Sequence, residues 1–195
     1  MPDRQELERA LQAWPARRSA AEGPRAAVAA VFRPGPEGTE LLFIERARHP
    51  HDPWSGHMAF PGGRVDGGDR DSAATARRET LEELGLDLSG AEELGRLDDL
   101  DAANRRITVS AHAYWMHDAR DRTLSPDPSE VADALWLGVR ALAHPERVVD
   151  YHYPKLPGQT FPGLTVDRSR VIWGMTLRFL EDLYKRLDLP LQLRR

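Results

Sequence analysis

A glycine-rich loop that leads directly into an acidic helix is the feature that most constrains this chain. Residues 62–86 read GGRVDGGDRDSAATARRETLEELGL, and residues 72–84 of this stretch are predicted to be helical. The paired Gly62 and Gly63 allow positive φ angles and a close approach of the backbone to a ligand. The segment therefore predicts a tight backbone bend held near a helix that carries many charges.

Three glutamates on this helix are spaced so that their carboxylates lie on one side. Glu79 comes three residues before Glu82 and four before Glu83, and such residues are neighbours on a helix surface. Like charges at this spacing repel by roughly 0.2–0.5 kcal/mol. A divalent cation would convert this repulsion into binding, and hard oxygen ligands suit Mg²⁺ or Mn²⁺ better than zinc. Loop and helix together predict a metal and diphosphate site. The alternative is a solvated face with an Arg78–Glu82 ion pair.

Length and composition indicate one folded domain. The 195 residues are 41% hydrophobic and 30% charged, which supplies enough apolar surface for a core and argues against a disordered chain. A net charge of -4 argues against binding to nucleic acid through a basic surface. Since the chain has no cysteine, disulfides, thiolate metal sites and a cysteine nucleophile are excluded. We find no membrane-spanning stretch and no signal peptide, so we expect a cytoplasmic protein.

Hydrophobic periodicity predicts a mixture of strands and helices. Strands interleaved with helices are typical of an α/β fold in which helices cover a mixed sheet. We expect helices at residues 3–14, 72–84 and 171–187, and strands at residues 26–32, 41–45, 106–116 and 131–137.

The ends of the acidic helix and the division of the chain can also be predicted. Either Asp71 or Ser72 is expected to cap the start of the helix, and Gly85 is expected to end it. A stretch rich in alanine, arginine, glycine and proline precedes the first strand and is predicted to be a linker. We therefore expect an N-terminal helix and linker at residues 1–24 and the main domain at residues 25–195.

The loop and helix resemble the Nudix box, a family pattern written G-x5-E-x7-R-E-U-x-E-E-x-G-U, where U is a bulky apolar residue. Thr80 departs from it by standing where the family prefers an apolar residue. Asp69, the first acidic position counted from Gly63, replaces glutamate and is followed by one residue more than the pattern allows before the arginine. The later positions are matched by Arg78, Glu79, Glu82, Glu83, Gly85 and Leu86.

This resemblance implies a fold, a cofactor and a chemistry. A Nudix domain is an α/β/α sandwich on a mixed β-sheet, holds Mg²⁺ or Mn²⁺ on the helix of the box, and hydrolyses a diphosphate bond that links a nucleoside to another group. The resemblance implies that Glu79, Glu82 and Glu83 are metal ligands, the last two also being catalytic. Arg78 would orient these carboxylates by bidentate pairing, and Gly63 would shape the loop.

The flanking sequence is similar to the coenzyme A diphosphatase branch of that family. Residues 56–63, GHMAFPGG, resemble the GQxAFPGG of that branch, with His57 in place of glutamine. The preceding strand resembles its LLTxRS pattern less closely, because Ile44 stands where threonine is usual. Residues 130–137 and 171–180 are similar to that branch as well. The resemblance implies cleavage of coenzyme A or acyl-CoA to 3′,5′-ADP and 4′-phosphopantetheine.

Two alternatives to this function stay open. A hydrolase of ADP-ribose, nucleotide sugars or nucleoside triphosphates would share most of these features. A non-catalytic Nudix domain would sense a nucleotide or bind a protein; three repelling carboxylates speak against it, and the inserted residue before the helix speaks for it. The chain has no G-x-S-x-G and no Walker A pattern, which argues against a serine hydrolase and a P-loop NTPase.

Residues outside the acidic helix supply further candidates for catalysis and substrate binding. Glu130 follows a proline-rich loop and is the candidate general base, with Asp127 and Asp133 as competitors. The expected partner is a small nucleotide and not nucleic acid or a membrane, and the two terminal helices offer surfaces for a homodimer. Each candidate arginine can also be interpreted as an exposed, solubilising residue. The substrate-binding candidates lie around the glycine bend and are Arg46, His57, Gly62, Gly63 and Arg64.

Overall fold

The described part of the chain contains two sheets, four α-helices and one short 3₁₀ helix at Pro145–Arg147. The computed structural model describes residues 2–50, 54–102, 107–119, 122–189 and 191–193. The helices are α1 (Arg4–Ala13), α2 (Ser72–Leu84), α3 (Val139–Leu142) and α4 (Gly174–Arg186). The strands are β1 (Arg25–Gly35), β2 (Gly38–Arg46), β3 (Met58–Ala59), β4 (Gly62–Arg64), β5 (Glu92–Arg96), β6 (Leu100–Ala102), β7 (Ile107–Trp115), β8 (Val131–Gly138), β9 (Val148–His152), β10 (Thr160–Thr165) and β11 (Val171–Trp173).

The larger sheet has eight strands and mixes parallel with antiparallel pairing. Its order is β3-β2-β1-β7-β5, with β4 paired to β1, β6 to β7 and β8 to β2. β1 and β7 run parallel, with Ala26 opposite Val109, and the other pairs of this sheet are antiparallel. β1 and β2 form a hairpin, which confirms the predicted strand pair at residues 26–32 and 41–45. The predicted mixed sheet is confirmed.

Successive side chains of β1 enter different hydrophobic clusters, because a strand sends alternate residues to opposite faces of its sheet. Ala27 belongs to a cluster that includes Ala76 of α2. Phe32 belongs to another cluster, which includes Leu7 of α1 and Leu180 of α4. The sheet is therefore covered by α2 on one face and by α1 and α4 on the other, which confirms the predicted α/β/α sandwich.

Both ends of α2 lie where the sequence places them. Asp71 is the N-cap, and its Oδ1 accepts a hydrogen bond from the backbone N–H of Ala74 at 2.7 Å. Gly85 ends the helix in the left-handed conformation, with φ 63°, and its N–H donates to the carbonyl of Leu81 at 2.8 Å. These two caps satisfy backbone groups that a helix terminus otherwise leaves without partners, and they fix the position of the acidic residues between them.

The predicted long helix at residues 171–187 is wrong over its first three residues. Val171 to Trp173 form β11, which pairs with β10 in a separate three-stranded sheet of order β11-β10-β9. The helix begins at Gly174, which has φ 63°. The apolar residues of β11 continue the hydrophobic pattern of the helix, so periodicity alone does not separate them. The predicted start of another strand, Arg106, lies outside the described residues.

The N-terminal segment packs onto the rest of the fold. Leu7 and Leu11 of α1 are buried in the cluster shared with α4. Arg17, in the predicted linker, donates from its backbone N and its Nε to the Asp98 carboxylate at 2.9 and 2.6 Å. The predicted division of the chain after residue 24 stays a prediction. In the part of the chain that the structure describes, no helix has the length and apolar character to span a membrane.

Candidate active site

Glu83 is the most buried of the three helix glutamates. Its side chain is 1% exposed, and its Oε2 accepts a hydrogen bond from the backbone N–H of Gly62 at 2.9 Å. Its Oε1 has no hydrogen-bond partner among the described residues, and Arg46 Nη1 lies 3.8 Å away. Burial raises the pKa of Glu83 to about 8, although the Gly62 N–H and the Arg46 charge act in the opposite direction. One carboxylate oxygen is thus available to a ligand.

The two glycines of the bend bring the backbone against β1 and against α2. In the pairing of β4 with β1, Gly62 lies opposite Val28 and Gly63 lies opposite Ala27. Gly62 has φ 149°, and a Cβ atom there would lie 2.3 Å from the carbonyl oxygen of Ala27. A Cβ atom on Gly63 would lie 2.3 Å from Cδ of Glu79. Real Cβ atoms do not approach so closely. Position 62 therefore requires glycine, because its clash is with the backbone, whereas a side chain at position 63 would have to displace the Glu79 carboxylate.

Arg78 joins the loop to the helix carboxylates. Its Nε and Nη2 donate to Asp69 Oδ1 and Oδ2 at 3.1 and 2.9 Å, a bidentate pair. Its Nη1 donates to Glu79 Oε1 and Glu82 Oε2, both at 2.9 Å, and its Nη2 also donates to the carbonyl of Arg64 at 3.1 Å. The hydrogen bonds from Arg78 hold the pKa of Asp69 well below its usual range. The extra residue in the loop therefore does not prevent Asp69 from pairing with Arg78.

The three helix glutamates do not converge on one point in this structure. No group of three or more histidine, aspartate or glutamate side chains within the described ranges is arranged to hold a metal ion. Glu79 and the 55% exposed Glu82 both pair with Arg78. Burial raises the pKa of Glu79, and the charge of Glu79 contributes to the raised pKa of Glu83. A cation beside these two carboxylates would stabilise their charged forms.

The other substrate-binding candidates, Arg46, His57 and Arg64, differ in what their side chains contact. Arg46, at the end of β2, faces Glu83 with its guanidinium and donates from its backbone N to the carbonyl of His57 at 3.0 Å. The ring of His57 is directed toward an aromatic neighbour, with its centroid 4.9 Å from that of Trp173. The side chain of Arg64 is exposed, and its carbonyl oxygen is the group that contacts Arg78. Arg46 is thus the candidate side chain that faces Glu83.

The loop that carries Glu130 is docked onto the end of α2. The backbone N–H of Asp127 donates to the carbonyl of Glu83 at 2.9 Å, and the carbonyl of Glu130 accepts from Ala47 at 2.8 Å. Glu130 is exposed, and its charge contributes to the raised pKa values of Glu79 and Glu83. Glu130 therefore lies within electrostatic range of the buried carboxylates.

The two competitors of Glu130 are engaged elsewhere. The Asp127 carboxylate accepts from the backbone N and the hydroxyl of Ser129 at 2.8 and 2.7 Å. Asp133 accepts from Arg170 Nη1 at 2.5 Å. The charge of Glu130, in contrast, is among the main causes of the raised pKa of Glu83. The choice of Glu130 as the general base stays a prediction.

Sequence reasoning missed a polar network at the opposite end of α2. Ser72 Oγ lies 2.9 Å from His112 Nε2, and His112 Nδ1 lies 3.1 Å from Glu93 Oε1. The network ties the first turn of α2 to β7 and β5. No sequence signal points to it, because its members are 19 to 40 residues apart.

Thr80, which departs from the Nudix box pattern, has no explanation in the sequence alone. Thr80 is fully buried and donates its hydroxyl to the carbonyl of Ala76 at 2.7 Å, which satisfies its one polar group.

Known proteins with similar sequences include Nudix hydrolases. An uncharacterised protein of Schizosaccharomyces pombe is 48% identical over 61 residues, which cover 30% of this chain and 18% of that protein. Nudix hydrolase 22, chloroplastic, of Arabidopsis thaliana is 27% identical over 176 residues, which cover 80% of this chain and 53% of that protein. The chain thus spans about half or less of the length of these relatives. The name of the plant relative places that protein in the chloroplast, and a cytoplasmic location for this chain stays a prediction.

Solved structures share the fold, and a family profile identifies the domain. The Ap4A hydrolase of C. elegans, solved as a binary complex, aligns with a TM-score of 0.50 at 20% identity, covering 61% of this chain and 82% of that one. This likeness shows the same fold. Residues 23–157, more than half of the chain, match the NUDIX domain. Together with the box helix and its glycine bend, this match establishes that the chain belongs to the NUDIX domain family.

Proposed function

We propose that this protein hydrolyses the diphosphate bond of a nucleoside diphosphate derivative with the help of a divalent cation, and that coenzyme A or acyl-CoA is its substrate. The observation that carries the proposal is Glu83. This carboxyl is buried, is held by the Gly62 N–H at 2.9 Å, and keeps Oε1 without a hydrogen-bond partner among the described residues. A buried group with a strongly raised pKa is costly for the fold and is typical of functional sites.

The donor atoms at the bend are of the type that a hard divalent cation prefers, although Glu79, Glu82 and Glu83 do not converge in this structure. Mg²⁺ and Mn²⁺ prefer carboxylate and carbonyl oxygens, and Glu79, Glu82 and Glu83, with the carbonyl of Gly63, would supply them. The free Oε1 of Glu83 and the raised pKa of Glu79 are the features that such an ion would satisfy. When bound, the cation would neutralise phosphate charge and lower the pKa of a water molecule.

The remaining groups of the site would bind the phosphates and move the proton. Arg46, which faces Glu83, would bind a phosphate oxygen through its guanidinium. Arg78 would hold Glu79 and Glu82 in place from one side, because Asp69 fixes its guanidinium in a bidentate pair. Glu130 would accept the proton of the attacking water, a role that requires a carboxylate near the reacting phosphate.

Support for coenzyme A comes from the residues around the bend. The sequence AFPGG at residues 59–63 and the Arg46-Ala47 pair resemble the coenzyme A diphosphatase branch, as do residues 172–174. The structure of these segments is compatible with this proposal, since Arg46 and Gly62 both contact Glu83. Ile44 and His57 depart from the pattern of that branch, so the substrate needs a direct test.

A panel of diphosphate substrates tests both the proposed hydrolysis and the proposed substrate, coenzyme A. Coenzyme A, ADP-ribose, a nucleotide sugar and a nucleoside triphosphate would be incubated with the protein in Mg²⁺ or Mn²⁺, and the products separated by chromatography. We expect 3′,5′-ADP and 4′-phosphopantetheine from coenzyme A, and no turnover in EDTA. If another compound of the panel is turned over faster, that compound is the substrate in place of coenzyme A. Nucleotide binding without hydrolysis, both in EDTA and after adding Mg²⁺, would replace the hydrolase with a sensor.

A further inference from the structure

The small sheet has a core face and an aromatic face. Strand alternation directs Val148, Leu164 and Ile172 to one side, where they join the hydrophobic cluster beneath α4. Their neighbours in sequence project from the other side. We define the aromatic face as four rings on this second side. Three of them lie in the strands and the fourth directly follows β9; they are Tyr151, Phe161, Trp173 and Tyr153.

Trp173 is at the centre of the aromatic face. Its ring centroid lies 4.6 Å from that of Tyr153, 5.1 Å from that of Tyr151 and 5.2 Å from that of Phe161. All four rings are partly exposed, and none of them belongs to either hydrophobic cluster. They are therefore not needed to fill the core, and a connected aromatic surface of this kind is typical of a binding site.

A short chain of contacts links the aromatic face to the candidate active site. The ring of His57 lies 4.9 Å from that of Trp173. The backbone carbonyl of His57 accepts from Arg46 N at 3.0 Å, and the Arg46 guanidinium lies 3.8 Å from Glu83. The aromatic face is therefore linked to Glu83 through two intervening residues, His57 and Arg46.

The charge beside the aromatic face suits an anionic ligand. Arg48 is exposed, and its Nε lies 3.6 Å from the position that a Cβ atom would take on Gly56, directly before His57. Its charge acts on Tyr151, where it opposes the rise in pKa that burial of the phenol causes. Partly exposed aromatic rings with a guanidinium beside them offer a stacking surface and a positive charge to a planar ring that is attached to phosphate.

We propose that the aromatic face binds the base of the substrate nucleotide by stacking, while the glycine bend and the helix carboxylates bind its diphosphate. Each base offers a π-face to such a surface, so stacking supplies affinity with little preference among bases. This inference rests on the proposed function for the position of the diphosphate. The binding of the base itself is measurable without any hydrolysis.

The experiment compares two ligands that differ in the base alone. AMP and ribose 5-phosphate would be titrated in EDTA into the full chain, with NMR shifts as the readout, so no turnover is involved. We expect wild-type protein to bind AMP at least about tenfold more tightly than ribose 5-phosphate, and Trp173→Leu to remove this difference. Trp14→Leu is the matched control, because Trp14 is a 60% exposed tryptophan at the end of α1, and it should bind AMP as the wild type does.

The possible outcomes separate this inference from the proposed function. Equal affinity of wild-type protein for AMP and ribose 5-phosphate would overturn the inference, as would unchanged AMP binding in Trp173→Leu. Either result leaves hydrolysis in the substrate panel unaffected. A base-dependent affinity that Trp173→Leu removes would stand even if the panel showed no hydrolysis. Tyr151→Leu repeats the test on a second ring if circular dichroism shows that Trp173→Leu is unfolded.

Discussion

Both ends of α2 carry polar side chains, but the two ends differ in whether the hydrogen bonds of these side chains are satisfied. At the N-terminal end, Asp71 caps the helix, Ser72 meets His112, and Thr75 donates to Asp69 at 2.8 Å. At the C-terminal end, the buried Glu83 keeps one oxygen without a hydrogen-bond partner among the described residues.

This difference indicates which end serves the fold and which serves a ligand. Satisfied hydrogen bonds fix a helix in position, and a buried group left unsatisfied costs stability. A fold tolerates such a cost where a ligand later removes it. We therefore assign the N-terminal end of α2 to structure and the C-terminal end to chemistry, and the following changes test that assignment.

The largest effect is expected from Glu83→Gln. Removing the charge while keeping the shape should lower turnover by at least about 10²–10³-fold, because the group acts on the charge of the reacting phosphate. At about pH 5, where little of the pH-dependent cost of Glu83 has developed, the unfolding free energy should change by less than about 1 kcal/mol, since the Gly62 N–H keeps an acceptor. Glu93→Gln, a matched change in the network with His112, should retain turnover. Normal activity in Glu83→Gln would contradict the assignment.

A large effect on the fold is expected at one glycine and not at its neighbour. Gly62→Ala places a Cβ atom against the backbone carbonyl of Ala27 and should lower the unfolding free energy by about 2–4 kcal/mol. Gly63→Ala meets the movable carboxylate of Glu79, so it should cost less than about 1 kcal/mol but reduce turnover at least about tenfold. Denaturant melts and turnover rates of the two variants, measured side by side, test this difference. Equal destabilisation by both changes would show that the bend is only structural.

A smaller effect is expected on the pH dependence of stability. The pKa of Glu83 rises from its ordinary value of 4.5 to about 8 in the fold, so the folded state binds a proton that the unfolded state releases. The unfolding free energy in EDTA should therefore fall as the pH rises from about 5 to about 8. Glu83→Gln should flatten this part of the profile, and urea melts at several pH values measure it. A profile that is identical in the variant would show that Glu83 is not the group responsible.

The smallest effect is expected from Ser72→Ala. The change removes the hydroxyl next to His112 Nε2 and should lower the unfolding free energy by about 1 kcal/mol. Turnover should stay within about twofold of the wild type, because Ser72 lies at the end of α2 that we assign to structure. If the turnover rate falls by an order of magnitude while stability is preserved, Ser72 takes part in catalysis, and the assignment of this end of α2 to structure is wrong.

Local signals were sufficient to predict much of the fold. The hairpin of β1 and β2 and both ends of α2 follow from glycine, proline and capping residues that act within a few positions. The start of α4 could not be predicted, because β11 is three apolar residues long and its pairing with Thr165 becomes apparent only in three dimensions. The parallel pairing of β1 with β7 likewise joins residues more than 80 positions apart.

The candidate site was predicted in its residue types but not in its arrangement. The spacing of Glu79, Glu82 and Glu83 correctly placed them on one helix, but no local pattern shows that Glu83 is the buried one or that the Gly62 N–H donates to it. The bidentate pair of Asp69 with Arg78 was also beyond the sequence, because it depends on how the loop closes. The roles of these residues in metal binding and catalysis stay predictions.

The glycine bend is part of the main sheet, and this restricts how the chain can change in length. Pro61 O accepts from Ala29, and Val65 N donates to the carbonyl of Arg25, at 2.8 and 3.0 Å, so residues 61–65 are hydrogen-bonded to β1 on either side of Gly62 and Gly63. Adding or deleting one residue there would turn every following side chain of β4 to the opposite face. The loop at residues 66–70 has no such ladder. Insertions should therefore be tolerated after the bend and rejected within it.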